Sequence, residues 1–251
     1  MLPFERREKI MTLLEAEKTV TVESMASRLY VSEATLRRDL QLLEEEGRVR
    51  RTHGGAAMPI QRMTDIPLYA RRQERMAEKR AIARAAAKFF ASGDTLMLDA
   101  STTVLALSEE MQHVDSMTVI TSGLFTAQAF AVAGRQVLLT GGGLREGSAS
   151  LAGEEAATYI RNHHALWSVQ SCRGLTKDGV WESSIEEAAL KRCMLDASEK
   201  HMLLCDSAKI NQYFLCRTAE IKSINVLVTN QMPEGELLQS ITYANVQIVV
   251  A

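Results

Sequence analysis

Seven short apolar runs in the C-terminal two thirds of this chain constrain its fold more than any other feature. They read TLMLD (95–99), TVIT (118–121), QVLLT (136–140), ALWSVQS (165–171), HMLLCD (201–206), NVLVTN (225–230) and VQIVV (246–250), with helical patterns between them. A strand that is apolar on both faces must be covered on both, and helices in the intervals supply the cover. The alternation therefore predicts an α/β body with a mostly parallel sheet.

In open sheets of this kind, ligands bind beyond the carboxyl ends of the strands, so the residues that follow each run are the candidates for chemistry. The first run ends in Asp99-Ala100-Ser101-Thr102-Thr103 just before a helical pattern. Hydroxyls and backbone N–H groups converging at a helix start suit an anion such as phosphate, although the same hydroxyls could serve as simple caps. Thr121-Ser122-Gly123 follows the second run and Gly141-Gly142-Gly143 the third, with Arg145 just beyond. Asp206-Ser207-Ala208-Lys209 closes the fifth, and Lys209 is expected to be the only nearby cation able to balance a phosphate. Ser168 and Gln170, inside the fourth run, either add specificity or face solvent. His163-His164 has no carboxylate or cysteine at ligand spacing and reads as a loop, so no metal is expected.

The N-terminal part follows a different period. Phe4, Ile10, Leu13 and Leu14 line one face of a first helix, and Val22, Met25, Ala26 and Leu29 one face of a second. After a short turn at Tyr30-Val31, Ser32 is placed to cap a third helix that Gly47 ends. Leu36, Leu40 and Leu43 must face the first two helices, which turns Ala34, Arg37, Arg38 and Gln41 outward. Three helices with a tight turn before the last make a helix-turn-helix, whose final helix reads bases in the major groove from its N-terminal turns. Ser32, Glu33, Ala34, Thr35, Arg37, Arg38 and Gln41 occupy those turns. Next comes RVRRTHGGAA, which alternates and then breaks at Gly54-Gly55 like a small hairpin wing, placing Arg50, Arg51, His53 and Gly54 near phosphates.

Charge agrees with that division. Residues 1–80 hold 16 Lys/Arg against 13 Asp/Glu, whereas residues 81–251 hold 13 against 18. A modest basic excess in front of an acidic body points to a head that faces nucleic acid. The four cysteines, Cys172, Cys193, Cys205 and Cys216, lack zinc or disulfide-framework spacing and read as reduced thiols. MLPFERREKI lacks an apolar leader and no window reaches a membrane span, so a cytoplasmic location is expected.

The stretch VSEATLRRDLQLLEEEGRVRRTHGGA (31–56) resembles the DeoR family of sugar-responsive bacterial transcriptional regulators, and the resemblance extends through EKRAIARAAA (78–87), DASTT (99–103), GGG (141–143), SCRGL (171–175), EAALKRCM (187–194) and DSAK (206–209). It implies a winged helix-turn-helix over 1–57, a linker over 58–77 and an α/β sensor domain over 78–251, similar in fold to ribose-5-phosphate isomerase. It also implies a phosphorylated sugar as effector. By resemblance, Glu187 and Lys191 lie near the ligand cavity; by spacing alone they form a surface ion pair. The chain departs from the family pattern at Thr121-Ser122-Gly123, Leu166 and Ser184, which bears on the identity of the effector.

The expected function is a repressor, with operator DNA and a small phosphorylated sugar as partners, no cofactor, and a homodimer or homotetramer suited to palindromic sites. An isomerase-like enzyme with a DNA-binding appendage is the alternative, with Asp99, Asp206 and Lys209 as its acid, base and electrostatic group.

Overall fold

Ile10, Met11 and Leu14 on the first helix, α1 (Pro3–Glu17), pack against α2 (Val22–Leu29) and α3 (Glu33–Glu45). This is a computed structural model, and it describes residues 2–17, 19–45, 48–52, 54–57, 68–111, 114–145 and 147–251. The chain divides into two units, Met1–Ala70 and Arg71–Ala251.

In the first unit all four expected residues of α2 are buried, and so are Leu36, Leu40 and Leu43 of α3. Phe4 does not join them. No residue of α1 before Ile10 is buried, so the first turn of the helix runs past its core and leaves Phe4 exposed. Tyr30 ends α2 in the left-handed region, and the Ser32 hydroxyl accepts from the Thr35 N–H at 3.2 Å, which caps α3. The expected stop at Gly47 lies outside the described residues.

A strand before α2, β1 (Thr19–Thr21), joins β2 (Arg50–Thr52) and β3 (Gly55–Ala57) in an antiparallel sheet of order β1-β3-β2. Its two glycines do different work. Gly54 has φ +91°, which the turn requires, and a Cβ on Gly55 would lie 2.4 Å from the Val20 carbonyl oxygen. The hairpin is therefore tied closely to the strand that leads into α2.

Across the division runs α4 (Leu68–Gln73), followed by α5 (Met76–Ala87). The expected linker is thus helical over much of its second half, where LYARRQ carries good helix formers and no proline. Residues 58–67 of that linker lie outside the described residues.

The second unit begins its sheet with β4 (Thr95–Leu98), and α6 (Thr102–Leu105) and α7 (Leu107–Glu110) lead to β5 (Thr118–Thr121). Then come α8 (Leu124–Val132), β6 (Gln136–Leu139), a short hairpin of β7 (Gly143–Leu144) and β8 (Leu151–Ala152), and α9 (Glu154–Arg161). The chain returns through β9 (Ala165–Ser171), β10 (Gly174–Thr176), β11 (Gly179–Glu182) and α10 (Ile185–Asp196). It closes with β12 (Ser198–Cys205), β13 (Cys216–Ala219), β14 (Val226–Thr229), α11 (Gly235–Tyr243) and β15 (Gln247–Val250).

Seven of these strands form one sheet of order β15-β14-β12-β9-β4-β5-β6, and every pair in it is parallel. All seven apolar runs are in it. Alternate residues face opposite layers: Leu96 and Leu98 pack with α5, α6, α7 and α8, while Met97 packs with α9 and α10. Because β5 and β6 lie to one side of β4 while β9 and later strands lie to the other, the connections diverge between β4 and β9. That divergence opens a crevice at the carboxyl ends of the strands. Ser168 and Gln170 face neither solvent nor that crevice. Both are buried, and the Gln170 amide donates to the Ser168 hydroxyl at 2.8 Å and to the Lys191 carbonyl at 2.9 Å, pinning β9 to α10.

Strands β10, β11 and β13 make a separate antiparallel sheet that the apolar pattern did not reveal, since GLT, GVWE and CRTA are not continuous apolar runs.

Candidate functional site

Each unit carries one candidate site. On the first, the outward face of α3 presents Glu33, Ala34, Arg37, Arg38 and Gln41, all exposed, with Thr35 half-buried beside the Ser32 cap. Arg37 pairs with Glu33 at 2.7 Å and Gln41 donates to Glu45 at 3.1 Å, whereas the Arg38 side chain has no hydrogen bond or ion pair among the described residues. Arg51 is exposed at the wing, and its N–H donates to Glu44 at 2.9 Å, joining wing to helix. Gly54 is exposed at the tip; His53 lies outside the described residues, as does the side chain of Arg50.

Behind that face is a pair that periodicity does not show. Asp39 is buried on α3, and both its oxygens accept from Arg6 of α1, one from Nε and one at 3.1 Å. The hydrogen bond to Asp39 raises the Arg6 pKa further above its ordinary value. This bidentate pair fixes the axial position of the exposed helix against α1.

On the second unit, a cavity of about 160 Å³ opens at the carboxyl ends of β4, β9 and β12. Ser101 and Thr102 reach it from the turn after β4, Cys172 and Arg173 from the turn after β9, and Asp206, Ala208 and Lys209 from the turn after β12. Arg71, Glu74, Arg75 and Lys79, just before and within α5, form another wall, and Glu182 of β11 completes the lining. Five cations thus face three carboxylates, so the expectation of Lys209 as the only nearby cation is corrected. Arg173 follows the fourth apolar run, and the other three come from a segment with no apolar run to mark it.

A polar frame lies beneath the lining. Asp99 is buried; one oxygen accepts from the Ser101 N–H at 2.9 Å, the other from the Ser171 N–H at 2.8 Å and from Lys191 at 3.1 Å. Lys191 also donates to Glu182 at 2.6 Å and to the Ser171 carbonyl at 2.7 Å. Burial opposes the charge on Lys191, but Glu182, Asp99 and Glu187 outweigh it and hold the ammonium above the ordinary lysine range. The expected surface pair of Lys191 with Glu187 is therefore corrected. Both side chains turn inward to other partners, Glu187 to Arg145 at 2.9 Å and to Ser150.

Lys209 donates to the Ser171 hydroxyl at 2.9 Å. Lys79 donates to the carbonyls of Arg71 and of Glu74, the latter at 2.6 Å, and burial aided by repulsion from Lys209 pushes its pKa down to about 8. Arg75, held at φ 48°, donates from Nε to Asp206 at 2.7 Å. The Ser101 hydroxyl caps α6 by accepting from the Val104 N–H at 3.2 Å, which leaves the N–H groups of Thr102 and Thr103 without partners among the described residues. Hydroxyl, amide and cation donors thus meet at one crevice, an arrangement suited to a small dianion.

Several candidates lie away from this cavity wall. The buried hydroxyl of Thr121 accepts from the Gly123 N–H at 3.1 Å, and the Ser122 carbonyl accepts from Leu151 at 2.8 Å. Gly141 turns the chain, and a Cβ on Gly142 would lie 2.6 Å from the Ala152 carbonyl oxygen. These residues seat the β7–β8 hairpin. Arg145 lies beside it with Glu187, and Thr103 is fully buried below Thr102. Ser184 caps α10 by accepting from the Glu187 N–H at 3.3 Å. His163 and His164 are in a loop, and no metal-binding cluster exists among the described residues. No described helix is long and apolar enough to cross a membrane.

A winged helix-turn-helix joined to an α/β body with a cationic cavity defines a class: DNA-binding regulators that carry a sensor domain. Residues 6–62 match the DeoR-like helix-turn-helix domain and residues 74–231 match the DeoR C terminal sensor domain. The HTH-type transcriptional regulator GolR of Listeria innocua is 34% identical over 253 residues, covering all of both chains. The transcriptional repressor AccR of Agrobacterium fabrum is 32% identical over 90% of this chain and 89% of its own, and the glycerol-3-phosphate regulon repressor of Escherichia coli is 27% identical over 97% of each. The chain belongs to the DeoR family of transcriptional regulators. Among solved structures, ribose 5-phosphate isomerase A of Methanocaldococcus jannaschii aligns over 53% of each chain with a TM-score of 0.39 at 8% identity, too distant to carry an argument about chemistry.

Proposed function

We propose that this regulator represses a sugar-catabolic operon and releases its operator when a phosphorylated sugar occupies the cavity at the β4/β9 crevice. The observation that carries the reading is the composition of that cavity, five cations against three carboxylates, beside the Thr102 N–H at the start of α6. A phosphate monoester carries close to two negative charges at neutral pH and three acceptor oxygens, which this lining can balance and bind. Lys209, Lys79 and Arg75 are its countercharges, with Ser101 and Thr102 beside them. Asp99 and Lys191 position them from below.

On the DNA side, Arg38 reads a base edge while Arg37 and Arg51 meet backbone, with Arg50 and His53 of the wing included in the phosphate contact. Residues 1–57 constitute the DNA-binding domain and 78–251 the effector domain, acting as a homodimer or homotetramer in the cytoplasm. Binding without turnover is the expected chemistry, because Asp99 already accepts three hydrogen bonds and Asp206 is held by Arg75 and the Ala208 N–H.

The experiment has two stages. Selection of bound duplexes from a random pool defines the operator, and a panel of sugar phosphates is then titrated into the complex. One sugar phosphate should release the DNA while its dephosphorylated sugar does not. Release by neutral sugars alone, or by none of the panel, would refute the effector assignment. Proton exchange into that sugar phosphate in deuterated buffer should stay at background.

A further inference from the structure

The cavity wall also holds a sulfur atom. Cys172 follows β9 and borders the cavity, while Cys205 ends β12, the neighbouring strand. The parallel register pairs Ser171 with Leu204, so the next step brings Cys172 beside Cys205; their Sγ atoms lie 3.8 Å apart and both residues are buried. Neighbouring strands are spaced by about 4.8 Å, inside the Cα separation of about 4.4 to 6.8 Å that a disulfide accepts. Bond formation therefore needs side-chain rotation and little movement of the strands.

The two thiols are not equivalent. The hydrogen bond with Cys205 lowers the pKa of Cys172; burial opposes this, and Lys209 and Lys191 lower it further. Cys205 has its sulfur 3.5 Å from the Asp206 carbonyl, and its bond with Cys172 together with burial pushes its pKa well above the ordinary thiol value. Cys172 is thus the more acidic of the two thiols and borders the cavity, and Cys205 lies behind it.

We propose that Cys172 and Cys205 are a peroxide-responsive dithiol whose disulfide weakens anion binding in the adjacent cavity. The thiolate of Cys172 attacks one oxygen of hydrogen peroxide, the O–O bond breaks, and the departing hydroxide takes up a proton as water, leaving a sulfenic acid. The Cys205 thiol then attacks that sulfur and expels the hydroxyl, which leaves as a second water with the Cys205 proton. Two thiols and one peroxide give one disulfide and two waters. Closing the bond turns the Cys172 side chain away from the cavity wall and toward Cys205, next to Ser171, whose carbonyl and hydroxyl hold Lys191 and Lys209. This regulatory half rests on the anion-binding role of the cavity; the thiol chemistry does not.

The test uses the full chain, reduced and then treated with a few equivalents of hydrogen peroxide. Peptide mass mapping without reductant should find Cys172 linked to Cys205, lighter by two hydrogens, with Cys193 and Cys216 still alkylatable. Cys205→Ala should stop at a sulfenic acid on Cys172 that dimedone traps. If Cys193 or Cys216 reacts while both buried thiols stay free, or if Cys172 pairs elsewhere, the dithiol is refuted. For the second half, inorganic phosphate should raise the melting temperature of the reduced protein and lose that effect in the disulfide form, with recovery on adding dithiothreitol. An unchanged phosphate shift after the disulfide forms overturns the regulatory half. No phosphate shift in the reduced protein counts instead against the cavity as an anion site, and leaves the mapped disulfide standing.

Discussion

Lys79 should make effector affinity depend on pH in a window that few other side chains share. Its pKa in the folded protein is about 8, so about 90% of it is charged at pH 7 and about 10% at pH 9. An anion that binds only the charged form has an apparent affinity scaled by that fraction. The dissociation constant should therefore rise about tenfold between pH 7 and pH 9, or about 1.4 kcal/mol. The phosphate of such a ligand, with a second pKa of about 6, is already a dianion across this range and cannot supply the slope. Stability of the unliganded protein moves the other way. The unfolded chain keeps the Lys79 proton up to about pH 10.4, the folded chain only to about 8, so the destabilisation from burying this charge is full below pH 8 and is relieved as pH rises toward 10.4. The assay is calorimetric titration of the releasing sugar phosphate at fixed ionic strength, in wild type and Lys79→Gln. The variant should bind more weakly at pH 7 and show no slope. A flat wild-type profile, or a slope that survives in Lys79→Gln, would remove Lys79 as a counterion.

Other perturbations separate the remaining roles. Lys209→Met should fold and bind operator normally yet ignore the effector, giving permanent repression; release at the wild-type effector concentration would take Lys209 out of the site. Arg38→Ala should lose about 1 to 3 kcal/mol of discrimination at one base pair, whereas Arg51→Ala should weaken binding to all duplexes and reduce the salt slope by about one, as read from competition titrations at several salt concentrations. Uniform loss in both would reject that division of labour. Asp39→Ala leaves the Arg6 guanidinium without its buried partner and should destabilise the first unit by about 3 kcal/mol in denaturant melts of the full chain, with Asp39→Asn in between.

The sheet was legible because its seven strands are apolar enough to be covered on both faces, and β4, β5, β6, β9, β14 and β15 fall within one residue of the expected runs. β12 starts three residues early, at Ser198, because a polar edge of a strand leaves no apolar mark. The half of the cavity built from strand ends, Ser101, Asp206 and Lys209 over Asp99, was legible for the same reason. The other half was not. Arg71 and Arg75 fall in the expected linker and Lys79 in a helical pattern before the first strand of the body, while Glu182 belongs to a strand, GVWE, that is not a continuous apolar run. Asp39 escaped because a buried carboxylate makes sense only with its partner, and Arg6 lies 33 residues away. Lys191 looked like one end of a helix-surface pair because spacing reports which residues share a face, not whether that face is covered.

Strand order also fixes when each function can first exist. The last strand of the winged head ends at Ala57, but the cavity needs residues from Arg71 through Lys209, and its central pair, β4 with β9, joins Leu96 to Trp167. Translation at about 5 to 20 residues per second places those two events about 8 to 30 s apart. A nascent chain thus carries every strand and helix of its helix-turn-helix well before the cavity can assemble.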